Sequence, residues 1–136
     1  MATKNQGRME QRLGHMMDRY IADTNILILH FAGKLPATLP SLLGISIISE
    51  IELFSYPKLT LKDRQQLKSI LSDIKCFPLS TSIKEKTIQL RHKYSIKIPD
   101  AIICATAVIQ NAVLLTNDKQ LLSLAKVRTK SLGINT

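Results

Sequence analysis

The stretch Tyr20-Ile21-Ala22-Asp23-Thr24-Asn25-Ile26-Leu27-Ile28-Leu29-His30-Phe31 is almost wholly apolar, broken only by the triplet Asp23-Thr24-Asn25. Apolar residues on both sides of such a triplet fit a short buried strand ending near Ala22 and a helix starting near Thr24 or Asn25. Asp, Thr and Asn are the residues that cap helix N-termini. Asp23 then stands at the carboxyl end of a strand. In an open parallel sheet ligands bind just beyond those ends, so a carboxylate there is either a cap or part of a site. Which of the two applies depends on whether other acids reach the same edge.

The rest of the chain alternates strand and helix. Ile26 to Phe31 opens a helix that ends around Gly33, and Pro36 and Pro40 punctuate the loop after it. Gly44 to Ile48 reads as a short β-branched strand. Ser49 reads as the N-cap of the next helix, with Glu52 three residues on as its capping-box partner. Thr60 to Ile74 carries Leu61, Leu67, Ile70, Leu71 and Ile74 at helical spacing. Lys75 to Leu79 reads as a third strand. Ser80 or Thr81 then caps a helix through Tyr94 whose polar face bears Lys84, Lys86, Arg91 and Lys93. Ile98 to Val108 is apolar all round with Pro99 in its first turn, so it is a helix that must be buried, and Asp100 lies in that first turn. Val113 to Thr116 is a buried strand, which Asn117-Asp118 ends before a helix over Lys119 to Ala125. Val127 to Thr129 adds an edge strand.

A chain of 136 residues with 45% hydrophobic content and no low-complexity tract fits one globular domain, placed at residues 19–136. Residues 1–18 are polar and lack periodicity. They read as a mobile arm, an upstream extension or residues added in cloning around Gly14-His15-Met16, outside the fold. No apolar run reaches the roughly 18 residues that span a bilayer, and the first residues have no secretory h-region, so a cytoplasmic protein is expected. Cys76 and Cys104 sit in apolar surroundings without C-x-x-C spacing, as buried reduced thiols do. The net charge of +9 favours a polyanionic partner such as nucleic acid. From Lys75 onward ten Lys and Arg face three acids, an excess of seven, so the basic character lies in the second half.

Alternating strands and helices imply right-handed crossovers and a mostly parallel sheet of four to five strands between two helix layers. Asp23 and Asp118 both follow strand ends, Glu52 lies one turn into the helix after the second strand, and Asp100 opens the buried helix beside the same edge. Each has a harmless explanation as a cap or dipole partner. Together, four like charges repel unless a cation sits among them. Oxygen ligands with few imidazoles suit Mg²⁺ or Mn²⁺ rather than zinc. Metal-assisted phosphodiester hydrolysis joins such an acidic pocket to a basic flank.

Four stretches, Asp23-Thr24-Asn25, Ser46 to Leu53 with its Glu52-Leu53 pair, Asp100 to Ala107, and Leu115-Thr116-Asn117-Asp118-Lys119, resemble in order and spacing the successive motifs of PIN domains. The resemblance runs from Arg19 to Thr129 and is strongest to VapC-type toxins of bacterial toxin–antitoxin pairs. It implies a three-layer α/β/α fold and Mg²⁺- or Mn²⁺-dependent endoribonuclease activity that inhibits growth. It also implies a homodimer, and a small cognate antitoxin that inserts a segment near the acidic pocket. By position Asp23, Glu52, Asp100 and Asp118 match the acidic set, with Asp23, Asp100 and Asp118 as metal ligands. Glu50 is left out because Glu52 directly precedes Leu53. Thr24, Asn25, Thr116 and Asn117 are candidates to orient carboxylates or water, although capping explains them equally well. The chain departs from the family in having Ser55-Tyr56-Pro57 where a glycine often follows the Glu-Leu pair, and Leu121-Leu122 where an aromatic often follows the last Asp. Neither departure removes a ligand. The dimer is expected on Leu39, Leu42, Leu43, Leu53, Phe54 and Tyr56. His30 and His92 read as ordinary helix residues. Two other readings stand beside this one: a phosphoacceptor receiver, which needs an acidic pair where only Asp23 stands, and a PIN-like module that binds nucleic acid or a partner without catalysis.

Overall fold

The computed structural model describes residues 18–35 and 38–133. The arm expected over residues 1–18 falls outside these apart from Asp18, as do Pro36 and residues 134–136. Five strands form one sheet: β1 (Tyr20–Ala22), β2 (Leu43–Ser46), β3 (Lys75–Phe77), β4 (Val113–Leu115) and β5 (Thr129–Lys130). Every pairing is parallel and the order is β3-β2-β1-β4-β5. Among the described residues the helices are α1 (Thr24–Phe31), α2 (Ile47–Phe54), α3 (Leu61–Leu71), α4 (Thr81–Lys93), α5 (Ile98–Ile109) and α6 (Lys119–Leu122). None is long and apolar enough to cross a membrane.

Successive strand residues point to opposite faces, and the core divides accordingly. Ile21 and Leu114 join Ile83 and Leu90 of α4 and Ala101 to Ala105 of α5 on one face. Their neighbours Ala22 and Leu115 join Ile26 and Leu27 of α1, Leu53 of α2 and Leu67 of α3 on the other. The result is the expected three-layer α/β/α sandwich. At Gly44 in β2 a side chain has no room, because a Cβ there would lie 2.6 Å from the Phe77 ring of β3.

From β1 the chain builds β2 and β3 to one side, then crosses back to lay β4 and β5 on the other. The crevice between β1 and β4 is therefore the topological switch point, where doubly wound sheets bind ligands. The receiver reading loses its support here, since that class uses the strand order 2-1-3-4-5.

Local chemistry explains most boundaries. Helix α1 ends in a Schellman motif: Gly33 takes φ +71°, its N–H bonds the His30 carbonyl at 3.0 Å, and the Lys34 N–H bonds the Leu29 carbonyl at 2.8 Å. Helix α3 starts with a capping box between Thr60 and Asp63. It stops at Leu71, short of the expected Ile74, and Leu61 is exposed rather than on the packed face. Helix α5 is buried as its composition requires. The helix after Asp118 ends at Leu122 instead of Ala125, and the edge strand is Thr129–Lys130 rather than Val127 to Thr129, because Leu124 and Val127 turn into the core.

The junction after β2 departs most from expectation. Helix α2 begins at Ile47, capped by the Ser46 hydroxyl, which accepts from the Ile48 N–H at 3.1 Å. Ile47 and Ile48 are helical despite their β-branching, since tertiary burial overrides local propensity. Ser49 is thus no cap, and Glu52 is not its capping-box partner. Of the six residues expected at a dimer surface, Leu43 and Leu53 are core, at 8% and 7% exposure.

Candidate active site

Asp23 caps α1 and sinks into the crevice between β1 and β4. It is 7% exposed, yet both carboxylate oxygens are held. Oδ1 accepts from the Thr24 N–H at 2.8 Å, and Oδ2 accepts from the Thr116 hydroxyl at 2.8 Å. Thr116 is itself fully buried, and its oxygen accepts the Asp118 N–H at 3.0 Å. One hydroxyl therefore pins the turn after β4 to the carboxylate after β1, across the switch point.

Asp118 caps α6, its Oδ1 accepting the N–H groups of Gln120 and Leu121 at 2.8 and 3.2 Å, and it is exposed. Asp100 lies half-buried in the first turn of α5, whose N-cap Lys97 makes no side-chain cap bond. The N-terminal dipole of α5 favours a carboxylate there.

Glu52 is exposed on α2 and reaches back to the first turn of α1. The Thr24 hydroxyl lies 2.9 Å from Glu52 Oε1 and 2.8 Å from Ser49 Oγ. A carboxylate can only accept, so Thr24 donates to Glu52 and the fully buried Ser49 donates to Thr24. Ser49 and Ser46 are the residues that sequence reasoning missed. Their signal was present in the one-turn spacing of Ser49 and Glu52, but a capping box has the same spacing. Glu50 points elsewhere: burial, with Glu50 beside it, pushes the Cys76 thiol up to about 12.

The electrostatics show that the four acids share one region. Burial raises the Asp100 carboxyl above its ordinary range, and Asp23, Asp118 and Glu52 each raise it further, with only Lys97 acting the other way. Burial also raises Asp23; the bonds from Thr116 and Thr24 oppose it, and Asp118 and Glu52 add to it. Cys104, one turn beyond Asp100, is pushed up to about 12 by burial and then by Asp100, Asp23 and Asp118. It stays a neutral thiol under the cluster.

Of the four residues expected to orient the carboxylates, Thr24 hydrogen-bonds Glu52 and Thr116 hydrogen-bonds Asp23. Asn25 is exposed on α1. Asn117 serves the C-terminal segment instead, its Oδ1 accepting the Leu132 N–H at 2.8 Å while its buried Nδ2 has no partner among the described residues. The acids are hard oxygen donors. Among the described residues, however, no three His, Cys, Asp or Glu side chains stand close enough to enclose an ion.

The PIN domain family model matches residues 20–127. A chain of a toxin–antitoxin complex from Klebsiella pneumoniae is 33% identical, with a TM-score of 0.68, covering 79% of this chain and 94% of that one. A chain of DNA-bound VapBC from Salmonella typhimurium superposes with a TM-score of 0.70 at 19% identity, covering 85% of this chain and 98% of that one. A chain of FitAcB from Neisseria gonorrhoeae gives 0.61 at 20% identity, covering 81% and 95%. At such identities the last two speak for the fold alone. No curated protein sequence matches the chain. With its motifs in order, its sheet wound about β1 and a family match over most of its length, the chain belongs to the PIN domain family.

Proposed function

We propose that this chain is a metal-dependent endoribonuclease that acts as a growth-inhibiting toxin and is neutralised by a cognate antitoxin. The observation that carries the reading is the meeting of Asp23, Glu52, Asp100 and Asp118 at the switch point, where Asp100 feels three other acids and one opposing lysine. Asp23, Asp100 and Asp118 are the residues that would hold Mg²⁺ or Mn²⁺. Magnesium binds through one or two carboxylates and keeps several waters, so it does not need three acids already closed around it. When bound, such an ion lowers the pKa of water and neutralises charge on the phosphate. The protein's own part is to fix the acids: Thr116 orients Asp23, backbone N–H groups orient Asp118, and Thr24 orients Glu52.

Basic residues of the second half supply the RNA track. A groove of about 300 Å³ beside α4 is lined by Lys86, Lys93 and Lys126 and by no acid. RNA affinity is expected to fall steeply with salt through counterion release, and a flat response would remove the track. The antitoxin reading draws support from the Klebsiella relative, a chain of a toxin–antitoxin complex. It is also favoured by an apolar groove of about 240 Å³ among α1, α2 and α3, whose walls include Ile28, Phe31, Leu53 and Tyr56 and also Glu52. A segment lying in that groove reaches Glu52. A homodimer completes the proposal.

The test is RNA cleavage by wild type and Asp100→Asn, with Mg²⁺ or Mn²⁺ and with chelator. Cleavage is expected only for wild type with metal. RNA binding without metal-dependent cleavage would favour the silent binding module instead.

A further inference from the structure

Among the described residues, five of the six helices open on a side chain that caps them: Asp23, Ser46, Thr60, Ser80 and Asp118. Helix α5 opens on Lys97, whose side chain makes no cap bond. A lysine has no acceptor to offer a backbone N–H, and its charge sits at the end of the helix dipole that disfavours cations. Helix stability therefore gives no reason for a lysine at this position. The side chain is exposed, and its amine makes no hydrogen bond or ion pair among the described residues.

The turn that carries Lys97 is nevertheless fixed. The Tyr94 hydroxyl accepts from the Lys126 N–H at 3.1 Å, the Ser95 carbonyl accepts from Gln120 Nε2 at 2.8 Å, and the carbonyl of the buried Ile96 accepts from Arg91 Nε at 3.2 Å. These bonds set Lys97 between two of the acids. Ser95, just before it, is tied to the helix that Asp118 caps, and Asp100 follows one turn later. Lys97 is also the one cation among the charged groups that act on the Asp100 carboxyl. The same turn borders the basic groove beside α4, since Lys93 precedes Tyr94, Lys126 bonds its hydroxyl, and both lysines line that groove.

We infer that Lys97 grips a phosphate of the RNA strand where the strand leaves the basic groove and crosses the acids. The inference rests on the proposed nuclease reading and adds a substrate-binding residue to it. Four carboxylates repel every phosphate that approaches them, and an ion among them offsets this only where it sits. An ammonium at their rim, on a turn that cannot swing away, attracts the neighbouring phosphate and offers its oxygens a donor. A role as plain counterion fits less well, because a lysine that served only to quiet the acids would close an ion pair with one of them.

Lys97→Ser tests the inference, since serine supplies the missing cap and removes the charge. In chelator the variant is expected to melt a few degrees above wild type. Its affinity for single-stranded RNA, measured in the same chelator so that no strand is cut, should fall, and the slope of log K against log salt should shrink by about 0.7, the share of one phosphate contact. With Mg²⁺, kcat/KM for RNA cleavage should drop roughly 10–100-fold, while Lys97→Arg stays within a few-fold of wild type. The melting shift that Mg²⁺ produces should be no smaller in Lys97→Ser than in wild type. RNA affinity and salt slope unchanged in Lys97→Ser would overturn the inference, and a lower melting temperature in chelator alongside them would make Lys97 a counterion to the acids. Wild type that binds RNA without cutting it would overturn the nuclease reading, and the salt slope would still decide for or against Lys97. Wild type that binds no RNA would overturn both.

Discussion

The turn after β1 and the turn after β4 are built to one plan, a strand, an Asp at the N-cap and a helix, with Thr116-Asn117 added between strand and cap only after β4. They use that Asp differently. Asp118 is exposed, and its two bonds to backbone N–H groups account fully for a cap. Asp23 makes one capping bond, yet it is buried, carries a raised pKa and takes a second bond from a side chain 93 positions away. Capping does not require that burial or that partner. A carboxylate kept where its charge is disfavoured marks a candidate functional group, and the contrast with Asp118 shows how much of Asp23 a cap leaves unexplained.

The largest expected effect is on chemistry. Asp23→Asn keeps a side-chain oxygen for the Thr24 N–H but removes the charge, so RNA cleavage should fall by about 10²–10³-fold or more. Unimpaired cleavage would reduce Asp23 to a cap. Metal should then separate wild type from Asp100→Asn in thermal melts. Wild type gains about 2.7 kcal/mol at a hundredfold excess of Mg²⁺ or Mn²⁺ over its Kd, and the variant gains much less. Equal shifts in the two would show that Asp100 holds no ion. Thr116→Val removes the hydroxyl that joins the two turns and leaves the Asp118 N–H without its acceptor. It should cost about 1–3 kcal/mol in denaturant unfolding, with most of the loss absent if the turns are independent. The smallest effect on stability belongs to the capping bonds of Asp118, where Asp118→Ala should cost about 1 kcal/mol and Asp118→Asn much less.

The pH dependence follows from the direction of the shifts. Asp23 and Asp100 have folded pKa values above the ordinary 3.8, so the metal-free folded protein holds protons that the unfolded chain releases as pH rises past that value. Their contribution to stability therefore falls as pH rises from 3.8 through the folded values, and it returns on acidification. Asp100→Asn should flatten that part of the profile. A wild-type-minus-variant difference that grows more stabilising with rising pH would contradict the raised values.

Much of this was legible in the sequence because period and punctuation carry it. The run through Asp23, the all-apolar α5 and the strand before Asp118 fixed three of the four acids at one sheet edge. Glu52 belongs there by its place in the helix after β2, and it is the capping-box alternative that the structure removes. Ser49 and Glu52 have the spacing of a capping box, and only the approach of α1, a contact 25 residues away in sequence, makes them a grip on Thr24. Strand order was likewise not written in any one segment. It emerges from the crossover that returns the chain to β1's other side. The dimer surface was sought around Leu43 and Leu53 because local apolarity cannot tell a core residue from an exposed one.

That grip also sets how far chain length can vary near the site. A single hydroxyl on α1 is held at two points one helical turn apart on α2, which keys the rotation of α2 about its own axis. Adding or deleting one residue between Ser46 and Ser49 would turn that helix by about 100° and carry both contacts away from Thr24 together. The described residues between Gly33 and Leu42 make no side-chain hydrogen bond that keeps such a phase. Insertions should be tolerated there and selected against in the three residues after Ser46, a difference in permitted length between two neighbouring connections of the same sheet.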